Sequence, residues 1–463
     1  MCVIKQKKFC FSSLLIAFLL LAMLVGCHQE KSAGASSPNV IIIYTDDMGY
    51  GDVSSFGGDL LPTPNIDKLA EEGLKLTNFY VASPICSPSR AGLLTGMEPA
   101  RWNITSFLHT KKANREREMV NYLDPNAPSM GRLFKNAGYA TAHFGKWHLG
   151  GGRDVDNAPM ITEYGFDEYS STWESPDPDP LLTAKDWIWS PEDSIKRWNR
   201  TACFVTKTLD FLEENKDKPC FVNLWPDDVH TPWVASSDDY SAPRTTKWSY
   251  ENLKLVMQEY DNQMGRLIEG IEQLGIVDNT LIIFTSDNGP ELVDHADRAH
   301  GMRGMKWSLY EAGIRMPFII KYPGVVPKNT VDSMSVVSAL DLFPSLANLL
   351  QLEIPKDYES SGEDRSEVFK GKPSTREKSL FWEYGRNNTR FFKYPEGANR
   401  SPNLAMRIGK WKVLINDDGT RLELFDLFED PGETVNLKDQ YPDLAGQMKK
   451  ELLTWRKELP ELE

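Results

Sequence analysis

A chain of 463 residues is too long for one average domain of about 150 residues and long enough to bury a large core. Hydrophobic residues make up 41% of it and charged residues 25%, which is typical of a globular protein and excludes disordered, fibrous and polytopic membrane classes. The net charge of -14 argues against nucleic acid as a partner, although a local basic pocket for a small anion stays possible.

The N-terminus has the pattern of a targeting segment. Lysines precede an apolar run from Phe11 to Val25, which is short for a membrane span and typical of a signal-peptide core. The run ends in L-V-G-C, which resembles the bacterial lipobox and predicts lipidation of Cys27. We predict a lipoprotein signal peptide at 1–26, a lipidated tether at 27–38, and a membrane-anchored protein in the periplasm or at the cell surface. An ordinary secretory signal is the alternative.

Six cysteines are present, and three of them belong to the targeting segment. The remaining three are Cys86, Cys203 and Cys220. Cys203 lies in a helical pattern and Cys220 opens an apolar strand. The sequence therefore leaves two alternatives open for this pair, a disulfide bridge or two buried thiols.

Predicted strands and helices alternate along the mature chain. Strands are predicted at short apolar runs, and helices where apolar residues recur with a period of 3.6. In chain order, these are a strand at 40–45, helices at 65–72 and 129–137, a strand at 139–143, a helix at 201–214, a strand at 220–225, a helix at 253–274, and strands at 280–285 and 317–322. This alternation predicts an α/β fold with a large, mostly parallel sheet sandwiched by helices.

The composition of the sequence changes near residue 355, where polar stretches that contain Gly and Ser begin. Short alternating strands are predicted at 407–415 and 422–427, followed by a helix at 442–457. We therefore predict a catalytic domain at 39–355 and a smaller antiparallel α+β subdomain at 356–463.

Polar side chains directly follow two of the predicted strands. Asp46 and Asp47 come after the first, and Asp287 and Asn288 come after the strand at 280–285. Open α/β sheets bind ligands outside the carboxyl ends of their strands. Four oxygen donors suit one Ca²⁺ ion, with Mg²⁺ a weaker candidate, whereas zinc would favour His or Cys. Helix capping or turn formation is the alternative role for these residues.

A more specific pattern runs from Cys86 to Arg90, C-S-P-S-R, and continues into L-L-T-G. It resembles the C-x-P-x-R signature of the type I sulfatases of the alkaline phosphatase superfamily. Three further stretches resemble motifs of the same family: G-K-W-H-L-G at 145–150, S-D-N-G at 286–289, and 306–317, where an alanine replaces a usual glycine. The resemblance implies an alkaline phosphatase-like fold and oxidation of Cys86 to formylglycine by a maturating enzyme.

The resemblance also implies roles for individual residues. The four oxygen donors would hold calcium, with the modified Cys86 completing the shell and Arg90 holding the formylglycine hydroxyl. Residues that grip sulfate oxygens and move protons would be Lys146, His148, His230 and Lys306. Apart from the resemblance, we expect sugar contacts at Ser175, His300 and Arg303.

The implied reaction is sulfate ester hydrolysis. One hydroxyl of hydrated formylglycine would attack sulfur. The metal and Asp287 would make this hydroxyl easier to deprotonate. His230, assisted by Lys306, would protonate the leaving oxygen. The second hydroxyl would then lose its proton to His148 and expel sulfate.

The expected substrate is a sulfated carbohydrate, because a lipobox together with a sulfatase-like motif fits a surface-exposed or periplasmic glycan-degrading lipoprotein. In addition, seven of the thirteen tryptophans lie between Trp173 and Trp248, among acidic residues. Aromatic faces beside acidic groups suit sugar rings, although large loops also need hydrophobic anchors. The alternatives are an arylsulfatase, a phosphonate or phosphate ester hydrolase, and a non-catalytic glycan-binding lipoprotein.

Overall fold

The structure, a computed structural model, describes residues 37–182, 192–236, 249–385 and 394–462. The predicted signal peptide and Cys27 lie outside these residues, so the lipid anchor stays a prediction. Within the described ranges, no helix combines the length and apolar character that crossing a membrane requires.

A sheet of nine strands forms the centre of the compact unit Pro38–Glu463, counted over the described residues. Its spatial order is β4-β3-β5-β1-β6-β7-β2-β8, with β9 beside β2. Only β7 runs antiparallel to its neighbours β6 and β2, so the predicted mostly parallel sheet is confirmed. The strands are β1 (Asn39–Thr45), β2 (Leu74–Tyr80), β3 (Ala140–Gly145), β4 (Glu168–Ser171), β5 (Cys220–Trp225), β6 (Thr280–Ser286), β7 (Arg315–Lys321), β8 (Thr330–Asp332) and β9 (Val337–Ser338).

Helices cover both faces of this sheet. Alternate residues of β1 point to opposite faces: Val40 and Ile42 join one hydrophobic cluster, and Ile41 and Ile43 join the other. Burial on both faces explains why β1 is a continuous apolar run. The helices are α1 (Pro64–Glu71), α2 (Cys86–Thr95), α3 (Lys111–Glu116), α4 (Met130–Asn136), α5 (Arg200–Glu214), α6 (Tyr250–Gln273), α7 (Glu311–Ile314), α8 (Leu342–Leu349) and α9 (Ser366–Phe369).

The C-terminal residues form a second, four-stranded antiparallel sheet, as predicted. It contains β10 (Leu380–Glu383), β11 (Leu404–Ile408), β12 (Trp411–Ile415) and β13 (Glu423–Asp426), followed by α10 (Pro442–Glu458). The predicted strand segment 407–415 is a hairpin that turns at Gly409, whose φ is 54°. The predicted domain boundary near residue 355 stays a prediction.

The cysteines of the described residues are free thiols. Cys203 is half-buried on α5, and Cys220 is buried at the start of β5. Of the two alternatives that the sequence left open, the structure therefore has no disulfide between them.

A buried charge cluster joins the second sheet to the first. Lys412 of β12 lies 2.9 Å from Glu311 of α7 and 2.9 Å from Glu433, and all three residues are fully buried. The backbone N–H of Glu311 donates to the Glu433 carboxylate at 2.7 Å. Burial and the nearby Glu311 charge raise the pKa of Glu433 to about 7, although Lys412 opposes this. Lys412 is thus the cation that lets two carboxylates share one buried site.

Candidate functional site

The topology brings the loops that carry the predicted site residues to one edge of the sheet. Strands β3, β5, β1 and β6 are adjacent and parallel, so their carboxyl ends lie side by side. Residues 146–148 follow β3, His230 lies in the loop after β5, and the two acidic pairs follow β1 and β6. The β1 and β6 ends are level, because Thr45 pairs with Ser286.

The two acidic pairs meet as the sequence predicted. The backbone N–H of Asp47 donates to Asp287 Oδ1 at 3.1 Å, and Asn288 Nδ2 donates to Asp47 Oδ1 at 2.7 Å. Asp47 has a φ of 61°, a left-handed conformation that acidic and amide residues tolerate better than most. At most 1% of each of the four residues is exposed, and Asp46 belongs to the same group.

Three buried cations partly balance these carboxylates. Arg90 Nη2 lies 2.6 Å from Asp287 and 3.3 Å from Asp46. The remaining two contacts are Lys146 Nζ to Asp46 at 2.9 Å and Lys306 Nζ to Asp47 at 2.5 Å. Each carboxylate therefore has a cation beside it.

The pKa values show where the three cations do not fully offset the negative charge of the carboxylates. Burial alone would raise the pKa of Asp46, but Lys146 and its other cationic neighbours hold it well below its usual range. Burial raises the pKa of Asp287 to about 7 despite Arg90, since Asp46 and Asp47 add negative charge nearby. A further positive charge at this position would relieve that repulsion.

The donor set fits a divalent metal ion. One ligand atom each from Asp46, Asp47, Cys86 and His230 lie within 4.8 Å of one another. Two buried oxygens of the cluster have no hydrogen-bond partner among the described residues: Asn288 Oδ1, and Asp46 Oδ1, which Arg90 approaches only to 3.3 Å. Buried oxygens without partners are costly, and a hard cation would satisfy them.

Helix α2 explains the spacing of the C-x-P-x-R motif. Cys86 is its first residue and Arg90 follows one turn later, so both lie on the same helix face. Pro88 stands in the first turn, where its missing N–H costs no helical hydrogen bond. Arg90 Nη1 also donates to the Lys146 carbonyl oxygen at 2.8 Å. The Cys86 thiol is buried, and burial raises its pKa, so the unmodified thiol is a poor nucleophile.

His230 and Lys306 form a hydrogen-bonded pair. Their Nε2 and Nζ atoms are 3.0 Å apart, and His230 Nδ1 lies 2.6 Å from the Thr231 carbonyl oxygen. A carbonyl only accepts, so this geometry assigns the imidazole proton to Nδ1 and leaves Nε2 to accept from Lys306. Burial and Lys306 both lower the His230 pKa. Arg197 holds the loop by donating to the His230 carbonyl oxygen at 3.0 Å.

Comparison with known proteins agrees with this arrangement. The sequence model of the family described as Sulfatase matches residues 38–352, more than half of the chain. The chain belongs to the sulfatase family. The protein is therefore a sulfuric ester hydrolase, as the motifs predicted. A second model, N-sulphoglucosamine sulphohydrolase, C-terminal, matches residues 300–458 of this sulfatase.

Individual relatives resemble the sulfatase along most of its length. The N-acetylgalactosamine-6-O-sulfatase of Bacteroides thetaiotaomicron is 29% identical, over 92% of this chain and 96% of that protein. The N-acetylgalactosamine-6-sulfatase of Sus scrofa is 30% identical, over 74% of this chain and 68% of that protein. A solved structure from work on glycosaminoglycan metabolism by Bacteroides thetaiotaomicron is 26% identical with a TM-score of 0.72, covering 91% of this chain and 100% of that chain.

Glu174 is a residue of the sulfatase site that the sequence analysis missed. Its buried carboxylate lies 3.2 Å from His148 Nδ1, 3.7 Å from Lys146 Nζ and 2.7 Å from Arg153 Nη2. The other imidazole nitrogen of His148 is 3.1 Å from the Leu108 carbonyl oxygen. Burial lowers the pKa of His148 to about 3, although Glu174 opposes this. Glu174 lies in a loop after the short edge strand β4, and no motif marks it.

The three expected sugar contacts have other partners in the structure. Ser175 is buried, and its hydroxyl bonds to Ser171 at 2.6 Å and accepts from the Asp177 N–H at 3.2 Å. The exposed His300 ring lies 5.9 Å from the ring of Tyr50. Arg303 donates to carbonyl oxygens of Ala398 and Glu433 at 2.9 and 3.2 Å. Among the described residues, none of these contacts joins the charged cluster.

Proposed function

We propose that this sulfatase hydrolyses O-sulfate esters of carbohydrates, with N-acetylgalactosamine 6-sulfate as the preferred group. The observation that carries the proposal is the buried cluster in which Cys86 begins α2 among Asp46, Asp47 and three cations. The choice of sugar is supported by the relatives named N-acetylgalactosamine-6-sulfatase, one of which aligns over 92% of this chain.

Recognition of the sulfate group is assigned to the three cations of the cluster. The ester carries negative charge on its peripheral oxygens, and Arg90, Lys146 and Lys306 place fixed positive charge in a buried, low-dielectric site. A bound divalent cation, with Ca²⁺ proposed because the donors are hard oxygens, would polarise the ester and the nucleophile. Asp46, Asp47, Asp287 and Asn288 would hold that ion.

The nucleophile is assigned to position 86. Oxidation of Cys86 to formylglycine by a maturating enzyme, followed by addition of water to the aldehyde, would supply a hydroxyl that the buried thiol does not offer. The N-terminus of α2 favours the negative charge that develops on this oxygen. Arg90, one turn further along, holds the oxygen in place.

Two histidines divide the proton transfers. Protonation of the departing sugar oxygen is assigned to His230. Its Nε2 lies 3.0 Å from Lys306 Nζ, and the ammonium charge beside it makes a protonated imidazole a stronger acid. His148 accepts a proton in the step that releases sulfate. The Glu174 carboxylate, 3.2 Å from His148 Nδ1, would stabilise the imidazolium that forms.

A panel of defined esters tests the proposed function. Protein matured with formylglycine should give its highest kcat/KM on N-acetylgalactosamine 6-sulfate, compared with the 4-sulfate isomer, glucosamine 6-sulfate, an aryl sulfate and an aryl phosphate. Faster turnover of the phosphate would favour the phosphate ester hydrolase. Faster turnover of another sugar sulfate would keep the reaction and reject the sugar, and binding without turnover would favour the non-catalytic glycan-binding protein.

His230→Ala is expected to lose about 10²- to 10⁴-fold more kcat on a sugar sulfate than on an activated aryl sulfate, the range typical of general acid catalysis. A sugar alkoxide is strongly basic and needs a proton as it leaves, whereas an activated phenolate does not. Steady-state kinetics on both esters measure the contrast. Lys146→Ala is the control, because loss of a sulfate contact should slow both substrates similarly. Equal losses for His230→Ala would remove it from the acid role.

Chelation of divalent ions is expected to abolish activity and lower the melting temperature. The loss of stability should be about 2.7 kcal/mol if the ion is present at 100 times its Kd. Ca²⁺ should restore both properties better than Zn²⁺. Ester hydrolysis assays measure the activity, and scanning calorimetry measures the melting temperature. As the control, the melting temperature of Asp46→Ala should respond much less to chelation. Full activity in a verified metal-free sample would reject the metal site.

A further inference from the structure

One cleft of the described structure shares no residue with the catalytic cluster. It has a volume of about 910 Å³ and is lined by residues 101–103, by Lys111 and Arg115 of α3, by residues 119–122 and 124–126, and by Asn157, Pro460 and Leu462. This volume is at the upper end of the range for ligand sites, about 300–1,000 Å³. The cleft is therefore large enough for more than a single small anion.

The lining of the cleft has the composition of a sulfated-sugar site. It presents three cations, Arg101, Lys111 and Arg115, against one carboxylate, Asp124, and two aromatic side chains, Trp102 and Tyr122. Such a concentration of positive charge runs against the net charge of -14 of the whole chain. Cations pair with sulfate and carboxylate groups, while aromatic faces pack on sugar rings.

The charge in the cleft is only partly neutralised by the protein. Arg101 pairs with Glu98 at 2.8 Å, and Lys111 pairs with Asp156 at 2.5 Å. Arg115 is exposed on α3 and forms no ion pair within the described part of the chain. Its charge is thus available to a ligand.

Two backbone connections place the cleft next to the catalytic histidine His148. Leu108, whose carbonyl oxygen is 3.1 Å from His148 Nε2, precedes Lys111 by three residues, a span of at most about 11 Å. The N–H of Leu123, the residue after Tyr122, donates at 2.9 Å to the carbonyl oxygen of Leu149, the residue after His148. An oligosaccharide could span this separation.

We propose that this cleft binds the part of a sulfated glycan chain that extends away from the ester being cleaved. The inference rests on the proposed function and narrows its substrate class to polyanionic oligosaccharides. Arg115 and Lys111 contact the negative groups of neighbouring sugars, and Trp102 and Tyr122 pack on their rings. The cleft raises affinity for long substrates and takes no part in the chemical step.

Charge reversal at Arg115 tests the cleft, with Lys112→Glu as a matched control. Lys112 lies three residues before Arg115 on α3, has 84% of its side chain exposed and does not line the cleft. The substrates are a sulfated monosaccharide and a hexasaccharide that ends in the same sulfated sugar. The measured quantity is the ratio of kcat/KM on the hexasaccharide to that on the monosaccharide.

Arg115→Glu should lower this ratio about tenfold, the effect of losing one charged contact, mainly through a higher KM for the hexasaccharide. The loss should shrink in high salt, and Arg115→Ala should give a smaller loss. Lys112→Glu should leave the ratio unchanged. An unchanged ratio in Arg115→Glu, or an equal fall in Lys112→Glu, would overturn the proposal. If neither sugar were desulfated, the proposed function would fail instead.

Discussion

Cys86→Ala is expected to lower kcat by up to about 10⁶-fold, the size of effect seen when a catalytic nucleophile is removed from an enzyme. In the proposed mechanism, position 86 at the start of α2 carries the nucleophilic hydroxyl, and alanine has no group that could replace it. The melting temperature should change little by comparison, because alanine is a good helix residue. The loss is measured by comparing the kcat of the variant with that of matured wild-type protein on a sugar sulfate.

Cys203→Ala is the matched control for this variant. It removes a free thiol that is half-buried on α5 and should retain wild-type activity. In active protein, mass spectrometry should find the peptide of Cys86 about 18 Da lighter than the unmodified one, since one oxygen replaces sulfur and two hydrogens. An active preparation in which Cys86 is wholly an unmodified thiol would reject the formylglycine mechanism.

Lys412→Ala is expected to destabilise the fold by about 3–5 kcal/mol, the usual cost of removing one partner of a buried ion pair. The change leaves Glu311 and Glu433 facing each other in a fully buried site without their shared cation. The free energy of unfolding from denaturant titration measures the effect. Adding Glu433→Gln should recover part of the loss, because it removes the buried carboxylate that has lost its cation, whereas Glu311 keeps Arg315 at 3.7 Å.

Lys410→Ala provides the comparison for this prediction. Lys410 lies just before the same strand and pairs with Asp426 at 2.5 Å, but 43% of its side chain is exposed. Exposed pairs contribute about 0–1 kcal/mol, so this variant should be nearly neutral. Similar losses for both variants would show that the buried cluster does not stabilise the contact between the two sheets.

The continuous strands of the core were predictable because burial on both faces leaves a local signal. β1 and β6 contain continuous apolar runs, and β5 is apolar except for Asn223. Their predicted bounds agree with the structure to within one residue. β2 was missed, since Lys75 and Thr77 interrupt its apolar residues with side chains that are only partly buried. Its place beside the antiparallel β7 depends on contacts between distant segments.

Lys412 shows how an alternating pattern can mislead. It lies between Trp411 and Val413 in β12, where alternation assigns it to the solvent-facing side. In the structure it is fully buried, because Glu311 and Glu433 cover that side. Only the docking of the second sheet on α7 determines this.

The sequence by itself determined the family, the reaction class and most of the catalytic cluster, because these depend on short motifs whose residues stay together on one turn or one strand end. Cys86 and Arg90 share a helix face by spacing alone. The tertiary structure decided the order of the strands, the position of Glu174 against His148 and the internal partners of Ser175 and Arg303. Those features depend on which distant segments pack together, and local sequence carries no signal for such contacts.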